Sequence, residues 1–162
     1  MGAALDTLRA WRHPRQIMGL RLSEGVREDR ALIFLMVACF LIFVAQWPRL
    51  VRDATLDPST PLDARLGGAL LGWLFLVPLA FYAFAALSHL IARMLGGKGS
   101  WFSSRMALFW ALLAAAPMWL LNGLVTALVD VTWIRATTGA IALGGFLLIW
   151  AASLIEAESG KA

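Results

Sequence analysis

Charged side chains are the scarcest feature of this sequence. Asp, Glu, Lys and Arg make up 15% of the 162 residues, whereas apolar residues make up 60%. A soluble domain usually carries about 25% charged residues, and a disordered chain needs low hydrophobicity. Both classes are therefore poor interpretations, and the composition favours an integral membrane protein.

Reactive and metal-binding side chains are also scarce. The chain has one cysteine, Cys39, and two histidines, His13 and His89. A single cysteine forms no internal disulfide, and two separated histidines without a nearby acid are too few for a metal site. No Ser/His/Asp or Cys/His set is visible, so we expect neither an enzyme nor a cofactor. We expect His89, near the end of an apolar run, to bond a backbone carbonyl or a lipid headgroup.

Four apolar runs are long enough to cross a bilayer, for which a helix needs about 20 residues. Apolar residues surround each run instead of forming one stripe, as contact with lipid or complete burial requires. We predict an all-α membrane protein with a four-helix transmembrane bundle over 31–156 and a short tail over 157–162. Between the first two spans, prolines predict a connection over 48–65 that is irregular at least in part. The predicted spans are about 31–48, 66–92, 106–129 and 136–155.

The thirty residues before the first apolar run mix Arg with apolar side chains. Leu5, Leu8 and Trp11 recur at helical spacing, and a second partly apolar stretch covers 16–22. Arg side chains on such a segment reach toward anionic lipid headgroups. We therefore expect residues 1–30 to form an N-terminal amphipathic interfacial segment.

Basic residues are unevenly distributed between the connections. The N-terminal segment, the connection between the second and third spans, and the tail together hold ten Lys and Arg, against four in the other two connections. Connections rich in Lys and Arg stay in the cytoplasm. This predicts a multi-pass protein of the bacterial inner membrane with both termini in the cytoplasm.

A glycine-rich loop separates the second and third apolar runs. A phosphate-binding loop would need Ser or Thr directly after its lysine, between a strand and a helix, but here Gly99 follows Lys98 between two membrane helices. We therefore expect no nucleotide as a partner. We expect no nucleic acid either, because the basic residues lie between apolar runs, where they set membrane orientation. The loop consists of Gly96, Gly97, Lys98, Gly99 and Ser100.

The same loop has a structural interpretation. Glycines commonly end a helix, so this loop predicts a cap on the second span. Lys98 and Arg105 are expected to face lipid headgroups, and Ser103 or Ser104 is expected to cap the third span.

Two prolines fall near the middle of predicted spans. Pro78 and Pro117 each remove one backbone donor, so a bend is expected at both. Asn122 is the only amide deep in these two spans. The group fits packing kinks with one interhelical hydrogen bond, or the frame of a transport site.

Small residues recur at helical spacing in two places. Gly68 and Gly72 form a GxxxG pair, and Ala136, Ala140 and Gly144 line one face of the fourth span. Such faces let helix backbones approach closely. The pattern predicts close packing, and it leaves open whether the contact is within the bundle or with another protein.

Several short motifs occur together in this sequence: Ile91–Leu95, the glycine-rich loop, Arg105, Ala116-Pro117, His13-Pro14-Arg15, and Trp150 with Ile155–Glu158. With these motifs, most of the chain resembles the bacterial branch of the Yip1 family of multispanning membrane proteins. Family members usually have five spans, whereas this chain carries four, and it lacks the acidic Leu-Tyr-Gly-Pro motif of eukaryotic members. The resemblance implies an integral, non-enzymatic membrane protein, without the GTPase-linked trafficking of those members.

The preferred functional prediction is a scaffold that organises membrane or binds another membrane protein or a second copy. One alternative is an accessory or assembly subunit of a larger energy-transducing complex. Another is a small transporter or channel that uses Pro78, Pro117 and Asn122. The expected partners are membrane lipids together with a membrane protein or the chain itself.

Overall fold

The computed structural model describes Thr7 and residues 9–159, and the regular elements in that part of the chain are helical. Four of its helices are long and apolar enough to cross a membrane. This confirms the predicted fold class of an all-helical, four-span protein. The helices are α1 (Pro14–Ser23), α2 (Glu28–Leu56), α3 (Leu62–Met94), α4 (Trp101–Leu128) and α5 (Thr132–Ala157).

The four long helices alternate in direction. Arg105, in the first turns of α4, forms an ion pair with Glu28 at the start of α2. Arg52, near the end of α2, pairs with Asp130, just after α4. We call the two ends of the bundle the Glu158 end, where the α3–α4 loop meets the last turn of α5, and the Arg52 end, where the other two connections lie.

Helix α4 is the centre of the bundle. It packs against α2 and α5 most extensively, and against α3 less. Residues 102–116 are buried except for the partly exposed Arg105. Trp110 packs edge-on against Phe34 of α2, and Phe109 packs edge-on against Tyr82 of α3, with ring centroids 5.3 and 5.0 Å apart. The half of α4 nearest the Glu158 end is thus part of a close-packed, mostly apolar core.

Three helices contain a proline in their interior, and its effect differs among them. In α3 one π-helical turn, Gly72–Leu76, ends two residues before the buried Pro78. A wider turn accommodates the missing donor and the clash of the proline ring with the preceding turn. Helix α2 continues through Pro48, and α4 continues through Pro117, without a change of helix type.

The first connection is shorter than the sequence predicts. The chain between α2 and α3 covers only 57–61, because α2 runs past Pro48 to Leu56 and α3 begins at Leu62. The prediction of a connection that is irregular at least in part is therefore confirmed for 57–61, and helix covers the rest of 48–65.

The N-terminal segment packs against the bundle. Ile17, Met18 and Leu22 of α1 are buried, and α1 contacts α5 and, less extensively, α4. Trp11 extends further inward, since its indole Nε1 donates to the carbonyl of Ala114, midway along α4, at 3.0 Å. An amphipathic interfacial segment is therefore not confirmed, and the first six residues and Leu8 of that prediction lie outside the described residues.

Candidate functional site

A buried carboxylate joins three helices at the Glu158 end. Glu158 directly follows α5 and is only 8% exposed. Its Oε1 accepts a hydrogen bond from Ser104 Oγ of α4 at 2.6 Å and lies 2.8 Å from His89 Nδ1 of α3. Its Oε2 accepts from the Gly99 N–H at 2.9 Å. One side chain therefore holds α3, α4, α5 and the loop between α3 and α4.

The glycines of this loop are required by close approach to Glu158. A Cβ at Gly97 would lie 2.6 Å from Glu158 Oε2, and one at Gly99 would lie 2.5 Å from the carbonyl oxygen of Ala157. The Lys98 N–H also donates to the backbone carbonyl of Glu158 at 2.9 Å. Only residues without a side chain allow the loop to lie so close to the end of α5.

The loop also carries the glycine cap that the sequence predicts. Gly96 has a positive φ of 92°, and its N–H donates to the Arg93 carbonyl at 3.1 Å. The Gly97 N–H donates to the Ala92 carbonyl at 2.9 Å. These two bonds are the pattern that closes a helix with a left-handed glycine.

The predicted cap of α4 is wrong, whereas the expectation that Lys98 and Arg105 face lipid headgroups stays a prediction. Ser100, not Ser103 or Ser104, caps α4, because its hydroxyl accepts from the Ser103 N–H at 3.1 Å and Ser103 Oγ accepts from the Ser100 N–H at 2.9 Å. Arg105 pairs with Glu28, so its guanidinium is used within the bundle, whereas Lys98 is exposed.

His89 lies inside the protein, so the prediction of a backbone or headgroup partner is wrong. Its side chain is 1% exposed, and its ring lies 4.5 Å from that of Trp101 between centroids. Among the described residues, its Nε2 has no hydrogen-bond partner. Its Nδ1 lies 3.1 Å from Ser104 Oγ as well as close to Glu158.

These three side chains are the residue types of a nucleophilic triad, but their geometry differs from one. In a triad the serine hydroxyl bonds one ring nitrogen while the carboxylate bonds the other. Here Ser104 and Glu158 both lie at Nδ1 of His89, and the hydroxyl of Ser104 donates a hydrogen bond to the carboxylate of Glu158. The arrangement cross-links helices and activates no nucleophile.

The hydrogen bonds also determine the ionisation of Glu158. Burial of this carboxyl raises its pKa, but the bonds from Ser104, His89 and the Gly99 N–H together outweigh burial and hold the pKa below its ordinary value of 4.5. Bonds to the charged form favour that form. The cluster therefore contains a carboxylate at neutral pH.

A cavity of about 160 Å³ with both polar and apolar lining, here called the inner cavity, lies toward the Arg52 end between α2, α3 and α4. A second cavity of about 330 Å³ adjoins it and shares Arg49 and Thr126 with it. The polar and aromatic residues of the inner cavity are Gln46, Arg49, Trp73, Trp119, Asn122 and Thr126.

The predicted interhelical hydrogen bond of Asn122 is present. Thr138 Oγ1 of α5 lies 2.8 Å from Asn122 Oδ1, to which it donates. Pro117, one turn earlier, is exposed, whereas Pro78 is buried. The structure thus brings Asn122 to a cavity but does not bring the two prolines to it.

The small-residue faces lie on the outside of the bundle. A Cβ added at Gly68, Gly72 or Gly144 would meet no atom within 4 Å. Ala136 and Ala140 are exposed. The sequence leaves open whether these residues pack within the bundle or against another protein. In the structure they do not pack within the bundle.

Sequence reasoning missed Glu158, which it assigned to the tail. Three polar features predicted at one end of the bundle were the available signal: His89 at the end of one span, Ser104 at the start of the next, and an acid just after the last.

No group of three or more His, Cys, Asp or Glu residues with metal-binding geometry is present within the described part of the chain.

The fold and the cluster define an all-helical membrane protein whose buried polar groups serve to join its helices. The Yip1 domain family model matches residues 8–155, which include α1 and nearly all of the four long helices. The chain belongs to the Yip1 domain family. Comparisons with curated proteins and with solved structures found no match.

Proposed function

We propose that the chain is a non-enzymatic scaffold of the bacterial inner membrane that binds another membrane protein or a second copy of itself. The observation that carries this proposal is the use of His89, Ser104 and Glu158 to join helices. Ser104 Oγ, Glu158 Oε1 and His89 Nδ1 lie within hydrogen-bond distance of one another across three elements, so this buried polar set supports rigidity and not turnover. A rigid body with a lipid-facing apolar surface suits a binding role.

The outer face of α5 is where we place the contact. Ala136 and Ala140 are exposed there, and Gly144 has open space beside it. Because helix association in lipid depends on close backbone approach, a small-residue face that the bundle leaves uncovered suits a partner helix. An accessory subunit of an energy-transducing complex would use the same face, and a fixed stoichiometry with a larger complex distinguishes that alternative.

Transport receives less support from the geometry. The cavity lined by Asn122 lies toward the Arg52 end, and residues 102–116 of α4, most of them apolar, are buried toward the Glu158 end except for the partly exposed Arg105. A path across the bundle would have to open this core.

The orientation belongs to the same proposal. Cytoplasmic termini place the Glu158 end in the cytoplasm and Ser59, in the exposed connection before α3, on the other side. Reporters fused after Ala162 and inserted near Ser59 test this. A cytoplasmic signal at Ser59 would contradict the orientation.

The binding role is tested by Ala140→Leu, with Ala83→Leu on the exposed surface of α3 as the matched control. Each protein is purified in mild detergent, and whatever remains bound is identified by mass spectrometry. We expect Ala140→Leu to lose the partner or the second copy while Ala83→Leu keeps it, with unchanged thermal stability in both. Retention by Ala140→Leu, or a wild-type protein that is monomeric and alone, would contradict the proposal.

A further inference from the structure

Three helices contribute unusual backbone or tight packing around the cavity at the Arg52 end. Trp73, on the α3 side, lies in the π-helical turn Gly72–Leu76. Such turns occur frequently at functional sites. On the opposite side Gly123 of α4 lies against Ala45 of α2 so closely that a Cβ would be 2.7 Å from the Ala45 carbonyl carbon. The cavity thus lies beside a direct backbone contact and is not a product of loose packing.

The inner wall of the cavity offers hydrogen-bond donors. Asn122 Oδ1 accepts from Thr138, so the Nδ2 group of Asn122 keeps its donor hydrogens. The amide of Gln46 makes no hydrogen bond to the described residues. Arg49 contributes a guanidinium whose ion pair, with Asp53 at 3.5 Å, is exposed.

The adjoining outer cavity adds positive charge. Arg49, Arg52 and Arg135 line it together with a single acid, Asp53. Arg52 and Arg135 share one further acid, Asp130, as their partner. The excess of positive charge is local to the lining, where three guanidinium groups meet one carboxylate. The Arg52 end as a whole is neutral, because its four arginines are matched by four aspartates: Arg49, Arg52, Arg65 and Arg135 against Asp53, Asp57, Asp63 and Asp130.

We propose that the paired cavities bind a phosphate group, with Arg49 as its main ligand and Gln46 and Asn122 as further donors. Arginine suits phosphate because its planar fork donates two parallel, charge-assisted hydrogen bonds. The inner cavity of 160 Å³ is several times the volume of about 30 Å³ that one water occupies in liquid, so a phosphate group fits. The proposal goes beyond the scaffold role, which needs no ligand.

The cavity lies near one end of the bundle, so the phosphate group can come from either of two sources. Arg49 follows the apolar run 31–48 directly, so it lies where lipid headgroups meet the bundle. A phospholipid of that leaflet could supply the group, and so could a soluble phosphate that enters from the Arg52 end. The shared chemistry is the phosphate, and the experiment separates the two sources.

The test uses the full-length protein and two matched charge variants. Arg49→Gln removes the proposed ligand, whereas Arg93→Gln removes an exposed arginine at the other end of α3. Gln46→Leu removes a second donor and keeps the side-chain volume similar. Thermal unfolding of each variant first establishes that the fold is intact.

In the soluble arm, inorganic phosphate is titrated into the detergent-purified protein by calorimetry. In the lipid arm, native mass spectrometry counts phosphatidylglycerol molecules that remain bound after transfer from mixed micelles with a phosphate-free glycosyl diacylglycerol. We expect binding in one or both arms, weakened about tenfold or more by Arg49→Gln, less by Gln46→Leu, and unchanged by Arg93→Gln.

Each outcome is decisive. Binding in the lipid arm alone identifies a headgroup as the source, and binding in the soluble arm alone identifies a free phosphate. Binding that Arg49→Gln leaves unchanged, or the absence of binding in both arms, would overturn the proposal.

Discussion

The contact between α2 and α4 at Gly123 allows a prediction with a definite sign. A Cβ at position 123 would lie 2.7 Å from the carbonyl carbon of Ala45 and closer still to its oxygen, whereas ordinary contact begins near 3.4 Å. The carbonyl carbon would have to move by about 0.7 Å and the oxygen further. Because the opposing atoms are backbone, no side-chain rotation relieves the overlap. We therefore expect Gly123→Ala to destabilise the protein.

The size of the effect follows from two opposing contributions. Overpacking typically costs 1–3 kcal/mol, and a clash with backbone belongs at the upper end, at about 3 kcal/mol. Replacement of a helical glycine by alanine returns about 1 kcal/mol of helix propensity. The expected net loss in the free energy of unfolding is about 2 kcal/mol. Reversible unfolding in mixed micelles with increasing SDS, followed by circular dichroism, measures this difference.

Gly67→Ala is the matched control. Gly67 is exposed on α3, and a Cβ there would meet no atom within 4 Å. The same chemical change should therefore keep only the propensity gain and stabilise the protein by up to about 1 kcal/mol. Equal stabilities for Gly123→Ala and Gly67→Ala would refute the reasoning, because they would show that α2 and α4 do not meet closely at this glycine.

Three further predictions concern other parts of the fold. Because the folded pKa of Glu158 lies below 4.5, its contribution to stability is complete above that value and is lost as the pH falls through the lower folded pKa. Thermal unfolding from neutral to acidic pH should show this loss, and Glu158→Gln should remove that part of the pH dependence. Trp11→Phe should lower the free energy of unfolding by about 1 kcal/mol, since it removes the bond to the Ala114 carbonyl, and an unchanged value would place Trp11 outside the bundle. Ser100→Ala should also cost about 1 kcal/mol in the same assay through loss of the α4 cap, whereas Ser159→Ala, beyond α5, serves as its neutral control.

The long helices could be predicted from the sequence because bilayer thickness sets their length directly. A run of about 20 apolar residues has few other stable structures in lipid. The ends of the helices could be predicted less well from the sequence. Helix α2 continues to Leu56 through Pro48 and several charged residues, because a proline need not end a helix and polar residues extend one into the headgroup region.

The packing of the N-terminal segment and the Glu158 cluster could not be predicted in the same way. His89, Ser104 and Glu158 are far apart in the chain, and only the alternation of helix directions brings them to one end. The glycine-rich loop was visible as a motif, but its purpose depends on a carboxylate more than fifty residues later. Trp11 likewise needs Gly145 and Ala114, two partners that no local pattern indicates.

The two ends of the bundle are held by different sets of residues, and this separation leads to one last prediction. At the Glu158 end a buried carboxylate and close-fitting glycines join α3, α4 and α5, and Arg105 pairs with Glu28, whereas at the Arg52 end Arg52 and Arg135 pair with Asp130 beside the proposed phosphate site. Sites so far apart, with no shared partner, should contribute nearly additively. Glu158→Gln should therefore lower the free energy of unfolding and leave phosphate binding unchanged. Arg49→Gln should weaken phosphate binding and leave the free energy of unfolding unchanged.

The double variant makes this separation measurable. If the ends are independent, it should show the stability loss of Glu158→Gln and the binding loss of Arg49→Gln, with an interaction energy below about 0.5 kcal/mol in the free energy of unfolding. A larger interaction energy would mean that α3, which contributes to both sites, transmits changes between them. The π-helical turn Gly72–Leu76 lies between His89 and the start of α3 and would then be the segment to test, by changing Pro78, which follows it.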